Sequence, residues 1–342
     1  LTPMPFNPYL KSLLIPAVAA LLALGGCSTG TSAVGNTPAA AESASASTGW
    51  TYTDDAGKTI TLDARPTKIA GFTDQILSLL SYGVQPVATF GRTDVATDTR
   101  FADYDMTDVK IAGNTYGEIN LETLAEAQPD LIVTAIYPID RAGTLDSTQP
   151  YYGFKDLEQQ EKLAAIAPIV AIKVGGKGID VIESNTKLAL ALGADQAKVD
   201  ADKQAFEAAS ANFTKVAGET KLEVTAMYAD ANGIYLVKPE DEPETQLHKS
   251  LGLKYTELNP DGDYYWDIYS WENAGKVKSG DVILLSNEGF QQADLLKQAT
   301  FADDPALVAG QVHERRVTPL DYSSQAKSLD HIAGILSSSK DV

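Results

Sequence analysis

One cysteine and three histidines in 342 residues exclude much of the chemistry a chain can carry. A lone Cys27 forms no disulfide within the chain, so the folded body rests on its apolar core. His248, His313 and His331 have no second histidine or cysteine at ligand spacing, which argues against a metal centre built from side chains. Basic residues are also in short supply. The 27 Lys and Arg stand against 46 Asp and Glu, a formal charge of −19, the wrong sign for holding nucleic acid or anionic lipid through the overall field. There is no Gly-x-Ser-x-Gly elbow, and no pair of carboxylates stands out as an acid–base couple. Gly175-Gly176-Lys177-Gly178 falls one glycine short of a phosphate loop, because Ala171 occupies the earlier position; it reads as a strand-to-helix turn. These absences disfavour an enzyme.

What is present begins with an uncharged apolar run, Ser12–Gly26, preceded by Lys11 and closed by Leu24-Gly25-Gly26-Cys27. It is shorter than the ~20 residues a membrane helix needs. Its order of basic residue, apolar run and small residues is that of a lipoprotein signal peptide over residues 1–26, cut before Cys27. Acyl chains on Cys27 would then tie the chain to the outer leaflet of the cell membrane, outside the cytoplasm. Removing Lys11 leaves the body one unit more acidic. Ser28–Gly49 is almost wholly Ser, Thr, Ala, Gly and Pro and cannot bury enough to fold, so residues 27–49 read as a lipidated cysteine and a flexible tether.

The remainder alternates strand and helix signals. A hairpin over Trp50–Leu62 precedes strands at Lys68–Phe72, Pro86–Phe90, Asp130–Ala135 and Ile169–Val174 and helices at Asp74–Tyr82, Leu121–Gln128 and Lys155–Ala167. A long helical stretch from Ile179 to Val216 breaks at Gly193-Ala194-Asp195. The pattern then restarts, with strands at Leu222–Tyr228 and Ile234–Val237 turning through Asn232-Gly233. Helices at Glu244–Leu251, Phe290–Ala299 and Ser324–Ser337 and strands at Val282–Ser286 and Val317–Leu320 complete the second set. The expected fold is α/β: two Rossmann-like lobes, residues 50–194 and 219–342, joined by a long helix over 195–218, with a ligand cleft between them.

One element occurs twice. Asn120-Leu121-Glu122 opens a short helix leading into Asp130-Leu131-Ile132-Val133, and Ser270-Trp271-Glu272 opens another leading into Asp281-Val282-Ile283-Leu284. Each glutamate stabilises a helix start, and each start carries a capping side chain. As a matched pair, one per lobe, they also offer two carboxylates to a symmetric partner with one arginine per subunit.

The Cys27 leader, the Ser/Ala tether, NLETLAEAQPDLIV (Asn120–Val133), YGFKDLEQQEKLAAIAPIVAI (Tyr152–Ile172) and Ser270–Leu285 together resemble the substrate-binding lipoproteins of ABC transporters, in particular the ferric-siderophore and cobalamin class whose lobes share one long helix. The resemblance covers about residues 50–340 and implies a receptor that captures a ferric siderophore and delivers it to an ABC permease dimer with its ATPase. It gives Glu122 and Glu272 the role of docking on permease arginines. Cobalamin and haem are alternative cargoes within the class. A surface-anchored hydrolase is the alternative outside it.

Ligands of doubly wound sheets sit beyond the carboxyl ends of the strands. Those ends supply Phe72, Arg92, Tyr137 with Arg141, Tyr228 and Tyr322 as candidate ligand-binding residues. Tyr116 and Trp266 join them, each six residues before a docking glutamate; Trp266 occupies a position that faces the ligand in the cobalamin-binding relatives. Trp266 lies within DYYWDIYSW (Asp263–Trp271), where Tyr264, Tyr265 and Tyr269 read as core packing. Arg92 and Arg141, if turned to the cleft, can donate to hydroxamate, catecholate or carboxylate oxygens around chelated iron. Such a chelate has a saturated metal, so no cofactor and no protein metal ligand is expected.

Overall fold

The computed structural model describes residues 49–342. The expected leader, Cys27 and all but the last residue of the tether lie outside the described residues. Among the described residues no helix is long and apolar enough to cross a membrane.

The chain opens with an antiparallel hairpin, β1 (Trp50–Thr53) and β2 (Thr59–Leu62). Asp54 makes its turn: Oδ1 accepts from the amides of Ala56 and Lys58 at 3.1 and 2.8 Å. Its other oxygen accepts from the Ala171 amide at 3.0 Å and pins the hairpin to the first lobe.

That lobe is a five-stranded sheet built from β3 (Ile69–Phe72), β4 (Pro86–Phe90), β5 (Lys110–Gly113), β6 (Leu131–Ile136) and β7 (Ile169–Lys173), in the order β5-β4-β3-β6-β7. All its pairings are parallel, so helical crossovers cover both faces. The central strands β3 and β6 are accordingly buried along their whole length. The crossovers include α1 (Thr73–Ser81), α2 (Leu121–Glu126) and α3 (Leu157–Ile166). Only the short, half-exposed strand β5 escapes the sequence pattern.

Two helices leave this lobe. α4 (Gly178–Ala191) follows β7, and α5 (Gln196–Glu219) follows the break, where Gly193 adopts a left-handed φ of +95° against Arg65. At 24 residues α5 is roughly 36 Å long. Its buried stripe is Val199, Phe206, Ala209, Phe213 and Ala217, at helical spacing.

The second lobe is a mixed six-stranded sheet. β8 (Glu223–Asp230), β12 (Val282–Ser286) and β13 (Val312–Arg315) are parallel, while β9 (Gly233–Val237) and β11 (Trp266–Ser270) return antiparallel along one edge. β10 (Lys254–Tyr255) extends the foot of β8. Helices α6 (Pro243–Ser250), α7 (Gln292–Leu295), α8 (Pro305–Val308) and α9 (Tyr322–Ser338) surround it. Two sequence expectations change here. The strand expected at Val317–Leu320 lies earlier, at Val312–Arg315, where His313 and Glu314 hide the strand pattern. The helix expected over Phe290–Ala299 shrinks to one turn, Gln292–Leu295.

α9 packs along α5, with Tyr322 against Phe206 at 5.5 Å between ring centroids. One apolar cluster runs from the hairpin through α1, α4, α5 and α9 into the second sheet, which makes the two lobes a single compact unit.

Candidate functional site

The strands deliver one wall of the site from each lobe. In the first, the chain leaving β6 folds back so that Tyr152 bonds through its backbone to Ala135 and Thr134. Gly153 permits the bend. It has φ +90°, and a Cβ there would lie 2.4 Å from the Phe72 ring. Tyr152 is thereby set at the centre of an aromatic wall, with centroids of Tyr137, Phe72 and Tyr116 at 4.7, 5.1 and 5.2 Å. In the second lobe Tyr228 and Tyr235 pack at 5.4 Å, Tyr235 meets Trp266 at 6.2 Å, and Trp266 meets Tyr265 at 5.1 Å. Tyr265 has a left-handed φ of 75° although it is not glycine. Its amide is held by Asp241 Oδ2 at 3.0 Å, and its carbonyl accepts from the Lys238 amide at 2.9 Å.

Ion pairs tie the walls together. Arg92, just past β4, donates to Asp74 of its own lobe at 2.7 Å and to both oxygens of Glu288 of the other at 3.2 and 3.3 Å. Arg141 spans the lobes in the same way to Asp241, at 2.7 and 3.0 Å. Arg100 holds the second oxygen of Asp74 and the Val317 carbonyl, both at 3.0 Å. Burial pushes the Asp74 carboxyl upward, but Arg92 and Arg100 outweigh it and hold it below the usual range. Burial raises the phenols of Tyr137, Tyr152 and Tyr265, so these rings are neutral hydrogen-bonding groups; Tyr152 and Tyr265 add to the shift of Tyr137, Glu242 and then Tyr152 to that of Tyr265, and Asp74 and Tyr116 of its own lobe to that of Tyr152. Tyr228 is pushed up to about 12, first by burial and then by Asp230.

Not every expected residue reaches this junction as an open contact. Phe72 is fully buried beneath Tyr152 and Arg92, a floor rather than a wall. Tyr322 is buried between α9 and α5, its amide donating to Tyr82 Oη at 3.1 Å. Arg92 and Arg141 are not idle donors, since both are engaged by carboxylates. Tyr265, expected in the core, stands at the junction. By contrast, Trp271 is structural: it stacks on Phe290 and donates to the Asp230 carbonyl at 2.8 Å. Sequence reasoning misses Tyr152, Tyr235, Asp241 and Glu288. Glu288 lies two residues past β12, so the strand-end rule reaches it; the others sit in loops or on an antiparallel return that the rule does not cover.

A cavity of about 570 Å³ opens elsewhere along the lobe junction, between Thr99–Tyr104, Arg315–Pro319 and α9. None of the candidate ligand residues lines it. Its polar rim lacks the aromatic walls, and we place the site at the walls. Among the described residues no three His, Cys, Asp or Glu side chains group to hold a metal ion.

Glu122 and Glu272 are both exposed. Each opens a short helix that leads back into a parallel strand, so each lies at the carboxyl end of its sheet. The Asn120 side chain caps the first helix by accepting from the Thr123 amide at 3.0 Å. Ser270 does not cap the second, which is a 3-10 turn; its hydroxyl accepts from Asn273 instead.

A model of the periplasmic binding protein family matches residues 71–315, most of both lobes. The chain belongs to this family. The binding protein is 30% identical to DesE, a ferric-siderophore receptor from Streptomyces coelicolor, with a TM-score of 0.75 over 86% of this chain and 99% of that one. It shares its fold with the siderophore-binding protein from the fuscachelin gene cluster of Thermobifida fusca, at 24% identity, TM-score 0.59 and coverages of 80% and 97%. The same holds for FhuD of Vibrio cholerae bound to Fe3+-Desferal, at 20% identity, TM-score 0.55 and coverages of 80% and 97%. No curated protein sequence matches the binding protein.

Proposed function

We propose that this binding protein captures a ferric siderophore between its lobes and delivers it to an ABC importer. The observation that carries this reading is the pair of aromatic walls facing each other at the lobe junction, braced by Arg92 and Arg141. Neutral phenols, an indole and guanidinium donors suit the rounded organic shell of a chelate whose metal is already saturated. DesE, alike over nearly its full length, is itself a ferric-siderophore receptor. Glu122 and Glu272 would dock on arginines of the permease dimer, and lipid on Cys27 would keep the receptor at the outer leaflet. Modest lobe motion is expected, because α5 and α9 share one core with both lobes.

The test is a titration of intrinsic fluorescence with ferric hydroxamates, catecholates, citrate, haem and cobalamin. Saturating one-to-one quenching of Trp266 by a ferric siderophore, with the chelate recovered unchanged, is the expected result. Binding confined to cobalamin or haem would reassign the cargo. Chemical turnover would establish the hydrolase.

A further inference from the structure

Charge placement at the lobe junction narrows the chelate's chemistry, given the siderophore reading above. Four arginines lie along that junction, Arg92 and Arg141 at the walls and Arg100 and Arg315 beside the neighbouring cavity, and carboxylates already hold each one. Arg92 is taken by Asp74 and Glu288, Arg100 by Asp74 and Asp98, Arg141 by Asp241, and Arg315 by Glu242 and Glu244. Six carboxylates thus face four guanidinium groups. Opening the cleft does not reverse the balance. Arg92 keeps Asp74, Arg100 keeps Asp74 and Asp98, and Arg315 keeps its two glutamates, because all these ion pairs lie within one lobe.

Glu288 and Asp241 are the carboxylates whose arginines belong to the other lobe, so opening sets both free. The second wall then presents them together with Asp230, which lies beside the Tyr228 hydroxyl, while the first releases only Arg141. Lys238 is buried and turned to the Asp263 carbonyl, and Lys155 is exposed to water at the rim. An anionic chelate would therefore leave water to meet carboxylates, with one free guanidinium to receive it.

We infer that the site selects a ferric chelate of zero or positive net charge, the hydroxamate class, and rejects anionic catecholate chelates. Three hydroxamates neutralise a ferric ion, whereas three catecholates leave a triply anionic complex. A pendant ammonium on a hydroxamate chelate would find Glu288 and Asp230 on the second wall. Selectivity of this kind comes from the repulsive element as much as from the attractive one.

The experiment titrates the full chain with three ferric probes: the singly cationic complex of desferrioxamine B, its neutral N-acetyl derivative, and a triply anionic tris-catecholate. We expect the cationic probe to bind at least as tightly as the neutral one, and the catecholate to bind about 100-fold more weakly. The double substitution Asp230→Asn and Glu288→Gln should shrink the cationic-to-neutral affinity ratio several-fold. Catecholate binding as tight as that of the neutral probe would overturn the inference while leaving the receptor reading intact, and so would a ratio unmoved by the double substitution. Failure of all three probes to bind would remove the siderophore reading itself, and the inference with it.

Discussion

Among the described residues Asp74 is the carboxylate that two arginines share at the lobe junction, which makes Asp74→Asn the most telling single change. Its side chain is 12% exposed and takes Arg92 at 2.7 Å and Arg100 at 3.0 Å. Removing one partner of a buried ion pair costs ~3–5 kcal/mol, because the remaining charge is left in low dielectric. Here Arg92 retains Glu288 and Arg100 retains Asp98, so we expect the lower end, about 3 kcal/mol. With a urea slope of about 3 kcal/mol/M, the unfolding midpoint should fall by roughly 1 M. The pH dependence identifies the source. The arginines hold the folded carboxyl below its unfolded value, so its contribution is complete above about pH 4 and is lost as pH falls through the lowered folded value. The gap between wild type and variant should be level from pH 8 to about pH 4 and close below that. A midpoint shift under about 0.2 M, or a gap that persists in strong acid, would refute the reasoning.

Buried His248 bonds Tyr255 Oη through Nδ1 while its Nε2 has no partner, and burial pushes its pKa down to about 4. Between about pH 6.5 and 4 the unfolded chain takes a proton that the folded one resists, so stability drops by about 3 kcal/mol as pH falls. Asp321, pushed up to about 6 by burial, works the other way over the same interval. The check is therefore the difference between wild type and His248→Gln in urea midpoints, which should narrow on going from pH 7 to pH 4.5. Gly153→Ala drives a methyl into the Phe72 ring and strains a left-handed backbone, so we expect about 2 kcal/mol of destabilisation in urea unfolding. Because Tyr152 moves with it, ferric-siderophore affinity measured by fluorescence should fall about 10-fold. Replacing Glu122 and Glu272 together by alanine should abolish uptake of radioactive iron while leaving chelate affinity within about twofold; a large loss of affinity would contradict the docking role.

Much of the fold was legible because long-range burial imposes a local pattern. The continuous apolar runs Leu131–Ile136 and Ile169–Lys173 read as interior parallel strands, and the Asp54 and Asn232-Gly233 turns announced their hairpins. The pattern failed where burial is partial. The four-residue strand at Lys110–Gly113 and the strand at Val312–Arg315 lie at sheet edges and carry charged residues. At the proposed site, the strand-end rule reaches Arg92, Tyr137 and Tyr228, which lie at the lobe junction. It could not foresee that Phe72 lies beneath Tyr152 or that Tyr322 faces α5, because side-chain direction at a strand end depends on the loop that follows. Nor could it foresee that Arg92 and Arg141 are already paired, since their partners lie 196 and 100 residues away.

The clasp between α1 and α9 bears on how the protein is made. Ser81 Oγ donates to Asp321 Oδ1 at 2.8 Å, and Tyr82 Oη receives the Tyr322 amide, each across 240 positions of sequence. During translation the first lobe therefore emerges without the helix that seals α1, and its apolar underside stays open until α9 has left the ribosome. Pairings of such separation slow folding. For the extracytoplasmic receptor proposed above, that delay keeps the first lobe easy to unfold during export until α9 is in place.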